Sequence, residues 1–148
     1  MGKIIIAFVI TIAISYPVIA HVDAACSIPP SDDKKLLMSV DFFLKRRPGI
    51  QRFRYAGDEL HAVGNGNWRS PEDAVSDQPN CCTIIYEDRE TFKASEVKDS
   101  MGENFGGFAH ISFDYIVAGE DGGPLIVTAF ESYALDYCGN PQIIISED

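Results

Sequence analysis

The sequence predicts an α+β domain: an N-terminal helix packed on an antiparallel sheet of about four or five strands, stabilised by disulfides. Three observations predict it. Residues 31–47 repeat apolar side chains at helical spacing. Later segments alternate apolar and polar residues between turn formers, as antiparallel strands do. Four cysteines follow a stretch built like a secretory signal peptide, and an even cysteine count in that context reads as a disulfide framework.

The elements follow in order. Pro29 and Pro30 keep the lead-in extended. Ser31 is positioned to cap a helix, Asp32 and Asp33 suit its positive end, and Lys45, Arg46 and Arg47 its negative end. Leu36, Leu37, Val40, Phe43 and Leu44 make its apolar face, and Pro48-Gly49 stops it. Ile50, Phe53 and Tyr55 mark a first strand. Gly57-Asp58 is a turn, Leu60, Ala62 and Val63 begin a second strand, and Asn65-Gly66 is another turn. Ser70 and Pro71 open a short helix that Pro79 closes. CCTIIYE, residues 81–87, reads as a strand, and residues 91–107 hold a brief helix before glycines break it. The last third is a hairpin with arms from about His110 to Ala118 and from about Leu125 to Tyr137, joined by GEDGGP. On its first arm Ile111, Phe113, Tyr115 and Val117 share one face, and His110, Ser112 and Asp114 the other.

Residues 1–24 predict a cleaved signal peptide: Lys3, then an apolar run, then small residues before two possible cleavage points, after Ala20 or Ala24. The apolar stretch, residues 4–20, is short for a membrane anchor and contains Pro17. Asp23 argues against a lipoprotein processed at Cys26. Residues 25–148 are then one exported domain, periplasmic or secreted, with no membrane insertion once the signal is removed.

Cys26, Cys81, Cys82 and Cys138 remain in that domain. A bridge between neighbouring cysteines closes a small strained ring and is rare. The expected pairings therefore join Cys81 and Cys82 each to one of Cys26 and Cys138, in either combination. Opposite-facing side chains on one strand would serve such a knot. Metal ligation is not expected, because cysteine ligands come at C-x-x-C spacing with further histidine or cysteine nearby.

Candidate chemistry is sparse. His110, Ser112 and Asp114 are the residue types of a nucleophilic triad, but a working triad needs the histidine between the other two. His110 and Asp114 with Glu131 form a weaker proton-transfer or metal cluster. His61, beside Asp58 and Glu59, is a possible general base. No cofactor motif is present. A net charge of −10 and a pI near 4.6 speak against nucleic-acid binding. Within that acidic chain Arg46, Arg47, Arg52 and Arg54 gather around Phe53 and Tyr55 and, with Trp68, are the candidate binding residues. The expected function is an exported, non-enzymatic binding or accessory protein acting on a protein partner, such as an enzyme to be inhibited. The alternative is a small hydrolase or lyase using His61 or His110 with nearby carboxylates.

Overall fold

A computed structural model describes residues 26–64, 66–86 and 92–145. The expected signal peptide, residues 1–24, and Asn65 of the expected Asn65-Gly66 turn lie outside the described residues. The chain order is helix α1 (Asp32–Arg46), hairpin β1 (Phe53–Ala56) and β2 (Glu59–Ala62), helix α2 (Pro71–Asp77), strand β3 (Cys82–Ile85), helix α3 (Phe92–Met101), then strands β4 (Phe105–Ala118), β5 (Pro124–Asp136) and β6 (Pro141–Ile145). The class is α+β. The strands divide into a four-stranded antiparallel sheet, ordered β3-β4-β5-β6, and the separate β1–β2 hairpin.

Helix α1 forms as its ends dictate. The Ser31 hydroxyl accepts from the Lys34 amide, acids occupy the first turn, and bases the last. Its inward stripe carries Val40 and Phe43, which pack with Ile111, Phe113, Tyr133 and Trp68 against the sheet. Lys35 lies on the same stripe and is buried. Its ammonium donates to Gly106 O at 2.8 Å and to the Tyr86 hydroxyl at 3.0 Å. Those bonds replace the water that burial removes.

The sheet has two unlike faces. Ala109, Ile111 and Phe113 of β4 face α1, as do Ala129 and Tyr133 of β5, by the register that pairs Phe113 with Ala129 and Ala109 with Tyr133. Among the described residues the opposite face is covered at one end only. There Ala94, Val97 and Met101 of α3 pack on Ile85, Phe108, Ala134 and Ile145.

Strand β4 starts five residues before the expected His110, at Phe105, so Gly106 and Gly107, expected to break a helix, sit inside a strand. A β-carbon on Gly106 would stand 1.8 Å from the carbonyl oxygen of Asp136, so only glycine allows that approach. Strand β6, which the sequence reading did not anticipate, pairs Ile143, Ile144 and Ile145 with Ala134, Tyr133 and Ser132.

The cysteine pairing is corrected. Cys26 bonds to Cys138, with Cα atoms 5.7 Å apart, and Cys81 bonds to Cys82. The expected alternation requires both neighbours to lie on the strand. Strand β3 begins only at Cys82, and Cys81 precedes it on a bend. The lead-in runs instead past the β5–β6 turn, where the ring of Pro30 and the stem of Lys35 crowd Gly139. No cis peptide occurs among the described residues.

Candidate functional site

A cavity of about 480 Å³ opens where the β1–β2 turn meets the edge of β4. Tyr55, Gly57 and Asp58 of the hairpin form one wall. Gln78, Pro79, Asn80 and Cys81, between α2 and β3, form the second, and Ser112 and Asp114 of β4 the third. This volume is in the range of small-ligand sites.

The wall is built by an unusual extension of the sheet. Strand β3 ends its regular pairing at Cys82, opposite Ile111. The Ser112 amide still donates to Cys81 O at 2.7 Å, and the Ser112 hydroxyl donates to the same oxygen at 3.1 Å. Two residues on, at Asp114, the Gln78 carboxamide takes the place of a strand. Its Oε1 accepts from the Asp114 amide at 2.9 Å. Its Nε2 donates to Asp114 O at 2.8 Å and to Phe53 O at 3.2 Å, which ties the hairpin to β4. Gln78 is placed for this as the C-cap of α2, its own amide donating to Ala74 O. The Cys81–Cys82 bridge lies between core and cavity: Cys81 is buried within the α1-side core and also lines the cavity.

Asp114 is the wall's main charge. The Tyr55 hydroxyl donates to its Oδ2 at 2.7 Å and the Thr128 hydroxyl to its Oδ1 at 2.5 Å. The bond to Asp114, helped by partial burial, raises the Tyr55 phenol above its ordinary value and keeps it a donor. Beyond Asp114 the uncovered sheet face continues. Ser112 faces Phe130 across the β4–β5 ladder, Asp114 faces Thr128, and Ile116 faces Ile126. Phe130 is 47% exposed and Ile126 55%. The His110 ring stacks on Phe130 with centroids 6.0 Å apart, and its Nδ1 lies 2.7 Å from the Ser132 hydroxyl.

The residues singled out from the sequence fall elsewhere. Arg46 and Arg47 converge on the buried Glu131 of β5, at 3.3 and 2.8 Å. Arg52 bonds to the buried Asp77 at 2.5 Å, and the same carboxylate oxygen accepts from the Trp68 indole at 3.0 Å. Trp68 is buried and packs on Phe113 at 4.8 Å between centroids. Arg54 is exposed on β1, opposite His61. These residues are spread over three places: the α1–β5 contact, the α2 end and the hairpin surface. His61 pairs with Glu59 at 3.3 Å on that surface, and neither histidine is among the described lining residues. Glu131 lies on the α1 side of β5 while His110 shares the other face with Asp114, so the three do not meet. Among the described residues no group of three or more His, Cys, Asp or Glu is placed to hold a metal ion.

Sequence reasoning missed the cavity. Its contributors span residues 55–114, and only the Gly57-Asp58 turn and the prolyl end of α2 carry a local signal. In comparisons with known proteins, no family model matches this chain, and neither a curated protein nor a solved structure shows significant similarity to it.

Proposed function

We propose that this chain is an exported, non-enzymatic binding or accessory protein that docks a protein partner on the uncovered face of β4 and β5, beside the cavity. The observation that carries the reading is that face. Phe130 and Ile126 stand about half exposed on a sheet surface that α3 shields only at its far end. Exposed apolar side chains grouped next to a concave polar site are what protein-docking surfaces present. The polar groups behind them are already bonded to one another, so the surface is formed before a partner arrives. Export, to the periplasm or outside the cell, is supported by two bridges that leave no free cysteine among the described residues. No described helix is long and apolar enough to cross a membrane.

The test is site-specific crosslinking in a secreting host. A photoreactive residue replaces Phe130 or Ile126, with the exposed Asp33 on α1 as control. Discrete adducts from positions 126 and 130, absent from position 33, are expected. Carrying a charge at the face, Phe130→Asp, abolishes the adduct formed from position 126 while the exported yield stays unchanged. Adducts of equal intensity from all three positions, or none, would sink the reading.

A further inference from the structure

We propose that the cavity is a receptor for an organic cation, the protonated amine or guanidinium that a lysine or arginine side chain carries. It rests on the docking reading in one respect: the cation is taken to be a side chain of the docked partner.

The argument is an account of what the wall has left to offer. Most of its side-chain donors are spent, the exposed Asn80 carboxamide being the exception among the lining residues. The Gln78 amide donates to two backbone carbonyls, the Ser112 hydroxyl to Cys81 O, and the Tyr55 hydroxyl to Asp114. Its acceptors are not. A carboxylate offers about four acceptor sites. Asp114 uses one on each oxygen, for Tyr55 and Thr128, and both partners are neutral hydroxyls. Asp58, on the exposed turn opposite, has no hydrogen bond or ion pair among the described residues, and Asp114 has no ion pair.

Two carboxylates without a cationic partner, beside a single free carboxamide, favour a ligand that carries positive charge and several donors. The amine and guanidinium groups meet that description; a carboxylate is repelled, and a neutral sugar leaves both negative charges uncompensated. The remaining wall suits the stem and the charge of such a side chain. The Tyr55 ring offers a π face, and Pro79 and the Cys81 sulfur are apolar. The chain's charge of −10 draws cations toward the protein, and the exposed Phe130 beside Ser112 gives the residues flanking the cation an apolar seat.

The experiment uses the exported, oxidised chain, isotope-labelled for NMR. The probes are Nα-acetyl-arginine amide, Nα-acetyl-lysine amide and, as a neutral control, Nα-acetyl-glutamine amide. Saturable shifts of the Asp58, Asn80 and Ser112 amides with both cations, and none with the neutral probe, are expected. Asp58→Asn lies on an exposed turn, so the fold tolerates it, and it weakens both cations about tenfold. A neutral probe that binds as well as the cations overturns the inference, as does unchanged affinity in Asp58→Asn. No shift with either cation, while crosslinks from positions 126 and 130 persist, overturns this inference and leaves the docking reading. Cation binding without such crosslinks overturns the docking reading and leaves a receptor whose cation is a free amine.

Discussion

Glu131 is a carboxylate on the core face of β5, and its surroundings explain why it is tolerated there. Arg46 and Arg47 reach it from the end of α1, and the Tyr133 hydroxyl donates to it from two residues along the strand. Burial alone would raise its pKa. The donors Tyr133, Arg47 and Arg46 outweigh that and hold it below its ordinary value of 4.5. Burial first, and then the bond to Glu131, push Tyr133 far above its ordinary 10.0. The signs fix two arms of pH dependence. Glu131, lowered in the fold, stabilises above about pH 4.5, and that contribution is lost as pH falls through the folded value. Tyr133, raised in the fold, contributes fully below about pH 10, and that contribution is lost as pH climbs beyond it. Glu131→Gln is expected to cost about 2–3 kcal/mol at pH 7. This is less than a fully buried pair, because the arginines are 42% and 46% exposed and water can take over their charge. Urea unfolding across pH checks both arms. The gap between wild type and Glu131→Gln narrows below pH 4.5, and the gap to Tyr133→Phe narrows above pH 10. Gaps constant with pH would mean that neither group is coupled to folding.

At the scale of elements, the parts that could be read from the sequence are those whose signals are local. Ser31 with two following acids starts α1, Ser70-Pro71 starts α2, and GEDGGP joins β4 to β5, because caps and turns are satisfied by residues a few positions away. The start of β4 was missed because Gly106 answers to a carbonyl on β5, thirty positions along the chain. Strand β6 follows the Cys138-Gly139 turn so closely that it has few residues in which to show an alternating pattern. The burial of Lys35 has no local signal, because its partners, Gly106 and Tyr86, come from distant elements. Gln78 is the extreme case: a side chain replaces a strand, and no periodicity records that. Its bond to Phe53 O and two bonds to Asp114 bridge the β1–β2 hairpin to β4, beside the Tyr55–Asp114 bond, and in that hairpin only Phe53 and Leu60 are buried. Gln78→Ala is therefore expected to leave Phe53 O and both backbone groups of Asp114 without that partner, at a cost of about 2–3 kcal/mol. Hydrogen exchange localises the effect: the Asp114 amide loses protection while the Ser112 amide, held by Cys81 O, keeps it. Unchanged protection at Asp114 would show that the Gln78 bond does not carry the pairing.

Across the whole molecule the two bridges act at opposite ranges. Cys26–Cys138 spans 112 positions and fastens the lead-in of α1 to the β5–β6 turn, near both ends of the described chain. Cys81–Cys82 spans one position and encloses almost no loop. The reading from the sequence asked both bridges to do the long-range work. It did so because a bridge between neighbours is rare, and because alternation along a strand taken to begin at Cys81 offered each cysteine a different face. The corrected pairing separates two roles. In the chain-entropy account a bridge stabilises by restricting the unfolded chain, in proportion to the logarithm of the loop it closes. The long bridge is then worth about 4–5 kcal/mol, and the vicinal one close to nothing by that route. What the vicinal bridge does is local. It fixes the bend at which β3 gives way to the Gln78 surrogate, and it presents a sulfur to the cavity. Two double variants separate these roles. Cys26→Ser with Cys138→Ser is expected to lower unfolding free energy by about 4–5 kcal/mol while leaving the amide shifts of Asn80 and Ser112 unchanged at temperatures where it stays folded. Cys81→Ala with Cys82→Ala is expected to cost about 1 kcal/mol, through lost packing of a buried sulfur, and to shift those same amides. Intact mass before and after reduction verifies which bridge each protein retains, and urea unfolding supplies the energies. If the vicinal variant lost as much stability as the long-range one, the Cys81–Cys82 bridge would have to hold distant parts of the fold together, and a pairing that reaches Cys26 and Cys138 would return.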